Sequence, residues 1–318
     1  MADEVLLEKY SHPFHELFRI SSGAMRFKLK GQEANIWLTA REVPSKELFQ
    51  ITIAGPVCQI RNLRSNEQAK VHFHDNIINN VDFTEFWISC FHHKVRFGFA
   101  REHLPLLLEL FYEDNDNFAY EVGYIKFNTP NTRFSNIAWL IEAPPALNIS
   151  PLPLRKGFEG NVYWQDMYIQ KLPLDAIIGG FENEPSYIIR TNLNRSLCPG
   201  RYLLSKHIAL LPWGGREHRR QRDFQILCGF GVEWVKTKGN DIPQNAFVAG
   251  YSEVLNEPLY IGRAMYDGNL LTGKVHALYK LCYLPYKGRE IEVHSYEILV
   301  LVDGKRHTIY DEDNEDNL

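Results

Sequence analysis

Asn256-Glu257-Pro258-Leu259-Tyr260-Ile261-Gly262-Arg263 repeats, with small changes, an earlier stretch of the chain: Asn183-Glu184-Pro185-Ser186-Tyr187-Ile188-Ile189-Arg190. The echo runs outward on both sides. Upstream, Trp164, Pro173, Ala176 and Gly180 recur seventy residues on as Trp234, Pro243, Ala246 and Gly250. Downstream, at an offset of seventy-three, Gly200-Arg201 returns as Gly273-Lys274, and Trp213-Gly-Gly-Arg-Glu217 as Tyr286-Lys-Gly-Arg-Glu290. Phe224-Gln-Ile-Leu227 returns as Tyr296-Glu-Ile-Leu299. Matches this dense, with shifts this small, indicate one β-unit written twice, the copies related by a pseudo-twofold axis. The glycines are part of the pattern. Gly200 and Gly273 are expected where the backbone bends or approaches something closely.

Outside this region, short apolar runs alternate with polar residues. Met25-Arg26-Phe27-Lys28-Leu29-Lys30, Phe49-Gln50-Ile51-Thr52-Ile53 and Lys94-Val95-Arg96-Phe97 are examples. Period-two runs bounded by Gly, Asn and Pro predict half-buried strands. The one stretch suited to a helix is His103 to Tyr112, with Pro105 tolerated in a first turn. Glu142 to Gly157 carries Pro144, Pro145, Pro151 and Pro153. Proline cannot donate to a ladder, so this stretch predicts an extended linker. The expected fold class is all-β: an amino-terminal β-sandwich followed by a pseudo-twofold tandem β-repeat. The expected bounds are 1–147 for the sandwich, 148–159 for the linker, 160–229 and 230–305 for the copies, and 306–318 for an acidic tail.

Composition narrows the function. Of 318 residues, 45% are hydrophobic and 23% charged, the profile of a folded protein with room for a core in each half. A net charge of −4 supplies no global field toward nucleic acid or anionic membrane. No apolar run approaches the roughly 20 residues of a membrane span, and no signal-peptide core is present. The five cysteines, Cys58, Cys90, Cys198, Cys228 and Cys282, show no CxxC spacing. Free thiols in a cytoplasmic setting are the expectation.

Residues 231–301 carry Trp, Ile-Pro-x-x-Ala-x-x-Ala-Gly, Leu-Tyr-Ile-Gly-Arg-Ala, Gly-Lys-Val and Tyr-Glu-Ile-Leu. The pattern resembles the DM9 repeat. Residues 160–229 resemble it more loosely, with Ile189 for Gly262 and Arg201 for Lys274. The resemblance implies tandem pairing and, for some members, mannose binding in innate immunity. There an acidic and a basic side chain hold sugar hydroxyls together, the base being the Lys of the Gly-Lys step. Carried over, the bases are Arg201 and Lys274. The acids are Glu182 or Glu184 in the first copy and Glu253 or Glu257 in the second, where loop lengths differ by three residues. A carboxylate beside an ammonium suits a vicinal diol, since one accepts from the hydroxyls and the other donates to them. Arg190 and Arg263, each closing an apolar triplet on a strand, are further ligand candidates, able to fork onto carboxylate or paired hydroxyls. The residues leave equally open that these two arginines hold the repeat together by internal ion pairs. The implied partner is a mannose-type glycan, bound non-catalytically and without cofactor or metal, with a homodimer or the two copies supplying avidity.

Residues 14–141 resemble the domain named after farnesoic acid O-methyltransferase, through Ala34-Asn35-Ile36-Trp37-Leu38-Thr39, Phe83-Thr84-Glu85-Phe86-Trp87-Ile88 and Val95-Arg96-Phe97-Gly98. That name implies methyl transfer to a sesquiterpene acid. The strand-rich sequence lacks the alternating strands and helices and the Gly-rich loop of a Rossmann-type methyltransferase, so a binding or assembly sandwich is expected instead. A protein-binding scaffold is the remaining alternative. His72-Phe73-His74-Asp75, with His92-His93, His12 and His15, offers imidazoles but no completed ligand set, and exposed strand histidines are the simpler expectation. Arg216-Glu217-His218-Arg219-Arg220-Gln221-Arg222 is a local basic cluster, suited to sulfated sugar, phosphate or RNA, or simply a solvated hairpin.

Overall fold

The computed structural model describes residues 3–8, 17–20, 23–41, 43, 45–100, 106–112, 121–128, 137–143, 162–167 and 172–302. The linker prolines, the acidic tail, His12, His15, and residues 103–105 lie outside them. The chain divides into two compact units, Met1–Phe158 and Glu159–Leu318. All regular structure among the described residues is β, and no helix is long and apolar enough to cross a membrane.

The first unit is built from two antiparallel six-stranded sheets. One contains β1 (Asp3–Glu8), β3 (Ala24–Lys30), β8 (Thr84–Phe91), β9 (Lys94–Phe99), β10 (Leu108–Phe111) and β12 (Ala138–Ala143), in the order β1-β12-β3-β8-β9-β10. The other contains β2 (Leu17–Arg19), β4 (Glu33–Ala40), β5 (Glu47–Ala54), β6 (Val57–Asn62), β7 (Lys70–Phe73) and β11 (Val122–Asn128), ordered β2-β11-β4-β5-β6-β7. Alternation puts Phe27, Leu29, Ile36, Leu38, Phe49, Ile51, Phe86 and Phe97 in one core with Phe127 and Trp139. Phe27 meets Phe127 edge-on at 5.1 Å, the quadrupole-favoured geometry. Two expectations change here. The described part of the 103–112 stretch holds a strand, because Leu108 and Leu110 face the core while Glu109 and Phe111 face out. That is a period of two, which a helix cannot satisfy. His92-His93 is the two-residue turn between β8 and β9, both residues at positive φ, the geometry that matches the twist of a hairpin. His72 and His74 share a face, with rings 6.5 Å apart.

The second unit contains the two copies. The first runs β13 (Val162–Asp166), β14 (Ile178–Phe181), β15 (Pro185–Leu193), β16 (Ser196–Leu203), β17 (Ile208–Trp213), β18 (Arg216–Arg220) and β19 (Gln225–Gly229). The second runs β20 (Val232–Lys238), β21 (Val248–Tyr251), β22 (Pro258–Tyr266), β23 (Asn269–His276), β24 (Leu281–Tyr286), β25 (Arg289–Val293) and β26 (Ser295–Leu301). Their strands pair in the order β13-β19-β15-β14-β23-β24-β25-β18-β17-β16-β21-β22-β26-β20. The order reads the same from either end once each strand is matched to its counterpart, so the pseudo-twofold passes between β18 and β25. The copies are not side by side. Strand β14 bridges its own β15 and the other copy's β23, and β21 bridges β22 and β16. Ile177, Ile188 and Leu227 of the first copy share a core cluster with Phe247, Ile261 and Leu299 of the second.

Close backbone approach explains the repeated glycines. A Cβ at Gly180 would strike the carbonyl oxygen of Leu270, and one at Gly250 that of Leu197, each across the junction between copies. Gly200 and Gly273 meet the Leu210 and Tyr283 carbonyls in the same way. Gly262 has no room for a side chain because Cys282 Sγ would lie 2.7 Å from its Cβ. In the first copy the position matching Cys282 is Ala209, and Ile189 takes the glycine's place, fully buried.

Gly250→Ala is expected to lower the unfolding free energy of the second unit by about 1–3 kcal/mol, with Gly180→Ala close to it. Urea denaturation of the full chain measures both, and near-wild-type midpoints would contradict the close-approach account.

Candidate functional site

Two pseudo-equivalent arginines hold the copies together. Arg190, on β15, donates through Nε to Gln225 Oε1 at 2.8 Å and through Nη1 to the Ala249 carbonyl of the other copy at 3.2 Å. Arg263, on β22, donates through Nε to Glu297 Oε2 at 2.6 Å and through Nη1 to the Gly179 carbonyl at 3.3 Å. Each guanidinium lies over a tryptophan of its own copy, Trp164 at 4.3 Å and Trp234 at 4.2 Å. That stacking is a cation–π contact strengthened by burial. Burial draws the Arg263 pKa down to about 10, against the opposing pull of Glu297, so the group stays charged at neutral pH. Arg263 makes an internal ion pair of the kind the sequence left open as the alternative, while Arg190 makes the matching contact with the neutral Gln225. Arg190 also lines a cleft of about 490 Å³ with Asp166, Asp223, Gln225 and Tyr251.

The expected bases sit at matched register positions, Arg201 opposite Ile188 and Lys274 opposite Ile261. Their partners differ. Arg201 pairs through Nη1 with Glu182 and donates through Nη2 to the Pro285 carbonyl at 3.0 Å. The side chain is 1% exposed and that of Glu182 15%. The first copy's base is therefore sealed, and its turn acid is consumed in the pair. Glu184 is also committed, accepting from the Ser205 amide at 2.9 Å and from the Ser205 hydroxyl.

In the second copy Lys274 Nζ lies 3.0 Å from Glu290 Oε1, with side chains 9% and 6% exposed. Glu290 Oε2 accepts from the Gly215 amide at 2.6 Å, and the ammonium rests 5.2 Å from the Tyr283 ring centroid. The base here takes its acid from β25, not from the turn. The three inserted residues of the β21–β22 loop then leave Glu253 exposed. Glu253 accepts from the Ser196 hydroxyl of the other copy, while its own amide donates to Ser196 Oγ at 3.0 Å. Burial tends to raise the Glu253 pKa. Hydrogen bonds from Ser196, its own amide and Trp213, with the Lys274 charge, outweigh that and hold it below the usual carboxylate range. Glu257 is half-buried and ties the same loop through its backbone. His276, two residues beyond Lys274, is buried against Tyr279 at 4.3 Å. Burial first, then Lys274, lowers its pKa, so the ring is held toward neutrality.

The second copy thus brings an exposed carboxylate, Glu253, together with the Ser196 hydroxyl and a half-exposed Trp213, with the Lys274 ammonium held beneath by Glu290, in a patch contributed by both copies. Sequence reasoning named Glu253 and Lys274 but missed Ser196, Trp213, Tyr283 and Glu290. The repeated Gly-Arg-Glu step pointed at Glu290. Ser196 carried no signal, because it reaches the site only through the exchanged strand pairing. Among the described residues no group of three or more His, Cys, Asp and Glu could hold a metal ion.

The DM9 repeat family model matches residues 180–293, from within the first copy to within the second. No curated protein sequence matches the chain. Among solved structures, the nematode sperm cell motility protein MFP2B is similar at 12% identity, with 95% of this chain and 98% of that one covered and a TM-score of 0.37. The Caenorhabditis elegans galectin LEC-6 is similar at 10% identity, over 43% of this chain and 95% of its own, with a TM-score of 0.29. A botulinum neurotoxin serotype C1 binding domain is similar at 8% identity, over 97% of this chain and 84% of its own, at 0.25. At these scores the likeness extends to no ligand and no activity.

Arg263→Leu is expected to cost about 3–5 kcal/mol, because it breaks a mostly buried ion pair by removing one partner. Arg190→Leu should cost less, since Gln225 is neutral. Thermal unfolding of the two variants side by side checks the order, and the reverse order would refute it.

Proposed function

We propose that this protein is a non-catalytic carbohydrate-binding protein of mannose-type preference, and that the second copy carries the competent site. The observation that carries the reading is Glu253. It is exposed and makes no ion pair with the base of its own copy, while hydrogen bonds from Ser196, its own amide and Trp213, with the Lys274 charge, hold its pKa down. Two adjacent hydroxyls meet a carboxylate that accepts and an ammonium that donates, and charge-assisted bonds of this kind are the stronger ones. Trp213 offers an apolar wall for the carbon face of the ring, giving the mix of a few placed polar groups and an aromatic surface that small-molecule sites use. A shallow site like this binds weakly by itself, with a Kd on the order of millimolar, near −4 kcal/mol. A homodimer would add avidity.

The first copy is the weaker candidate, because a sugar there would have to displace Glu182 from Arg201. The amino-terminal sandwich fits a binding or assembly role better than methyl transfer, since it offers a packed aromatic core and no cofactor cradle in its sequence.

Two outcomes are expected from calorimetric titration with mannose. Glu253→Gln should weaken binding at least about tenfold, or 1.4 kcal/mol, at an unchanged melting temperature, because glutamine still accepts from Ser196. Lys274→Ala is a poorer probe, since it strands Glu290. The pH profile is the second. Because the Glu253 pKa is depressed, affinity should stay level as pH falls from about 7.5 to about 5 and decline only below the ordinary carboxylate value of about 4.3. Mannose affinity untouched by Glu253→Gln would refute the site.

A further inference from the structure

The copies meet on their pseudo-twofold at an unusual pair. Arg216 of β18 stands directly opposite Arg289 of β25. The Glu217 amide donates to the Gly288 carbonyl at 3.2 Å, and the Glu290 amide to the Gly215 carbonyl at 3.3 Å. Those bonds flank the arginines, which makes them a non-hydrogen-bonded cross-strand pair, the class with Cα atoms only about 4.5 Å apart. Their side chains leave the same face, and both residues are exposed. Like charges in that position repel. Among the described residues neither guanidinium has a hydrogen-bond or ion-pair partner. The adjacent acids are committed elsewhere, Glu217 to Arg219 at 3.2 Å and Glu290 to Lys274 and the Gly215 amide. Arg219, Arg220 and Arg222 add to the positive field on the first-copy side.

We propose that Arg216 and Arg289 form a binding site on the pseudo-twofold for a tetrahedral oxyanion, the sulfate or phosphate ester of a saccharide. An oxyanion between two guanidinium forks turns a repulsive pair into two charge-assisted contacts. A net charge of −4 and a footprint of two facing arginines suit one ester group better than a polyanion such as RNA. The hairpins place Trp213 opposite Arg216 and Tyr286 opposite Arg289. Trp213 also bonds Glu253, so the oxyanion site adjoins the second copy's candidate sugar site. The saccharide part rests on the carbohydrate reading; the oxyanion part does not.

The test is calorimetric titration of the full chain with inorganic sulfate and, separately, inorganic phosphate, at ionic strength held constant with chloride. One anion per chain is expected, with affinity lowered at least about tenfold in R216S/R289S. The stronger of the two anions identifies the ester. In chloride alone, Arg216→Ser should match or exceed the wild-type melting temperature, because repulsion is relieved. Equal sulfate and phosphate affinity in the double variant and the wild type would overturn the site. So would an equal loss of stability in chloride and in sulfate, the mark of a purely structural pair, or RNA oligomer binding that needs these arginines while both inorganic anions fail to bind. Mannose binding lost with anion binding intact would sink the carbohydrate reading alone; the converse would sink this one alone.

Discussion

Everything in the carboxy-terminal unit depends on one exchange: β14 and β21 each pair with a strand of the other copy. A single copy would leave that edge and the apolar face behind it open to water. Unpaired strand edges are costly and association-prone, and a half-built core has too little apolar area to offset chain entropy. Duplication solves both problems at once. The conditions are strict, however. Backbones must pass so closely at the junction that only glycine fits at positions 180 and 250. This is why the glycines repeat more faithfully than the side chains around them.

The exchange also decides where chemistry can occur. Arg190 and Arg263 stack on the tryptophans of their own copies but donate into the backbone of the other, so they report on the assembly of the pair. The candidate sugar patch is likewise composite, with Ser196 and Trp213 from one copy facing Glu253 and Lys274 from the other. Because neither copy owns a complete site, the two are free to diverge. Glu253, in the longer β21–β22 loop, is exposed, while Glu182 in the shorter β14–β15 turn pairs with Arg201. Symmetric architecture thus carries asymmetric function.

The architecture was legible in the sequence because repetition and alternation are periodic signals. The sandwich strands, the two copies and their pseudo-twofold follow from spacing alone. The 103–112 stretch misled because Leu106, Leu107, Leu108 and Leu110 suit a helix face as well as a buried strand. Sheet pairing decided it, and pairing is a tertiary fact. His92-His93 was expected as exposed strand; the pair is exposed, but its positive φ angles place it in a hairpin turn. At the site, the residue types were readable but not the pairing. Nothing in the spacing says that Arg201 takes its acid from the turn while Lys274 takes one from β25. Sequence left open whether Arg190 and Arg263 bind ligand or hold the repeat together, and both donate across the junction between copies.

The central functional claim is that Glu253 offers a diol a carboxylate outside the ion pair of its copy's base, while the turn acid of the other copy, Glu182, is taken up by Arg201. A crystal of the full chain grown or soaked with mannose tests this most directly. The account predicts sugar hydroxyls bridging the Glu253 carboxylate and the Lys274 ammonium beside Trp213, with the Arg201–Glu182 pair undisturbed. Sugar seated on Arg201, or density for sugar only in the first unit, would contradict it.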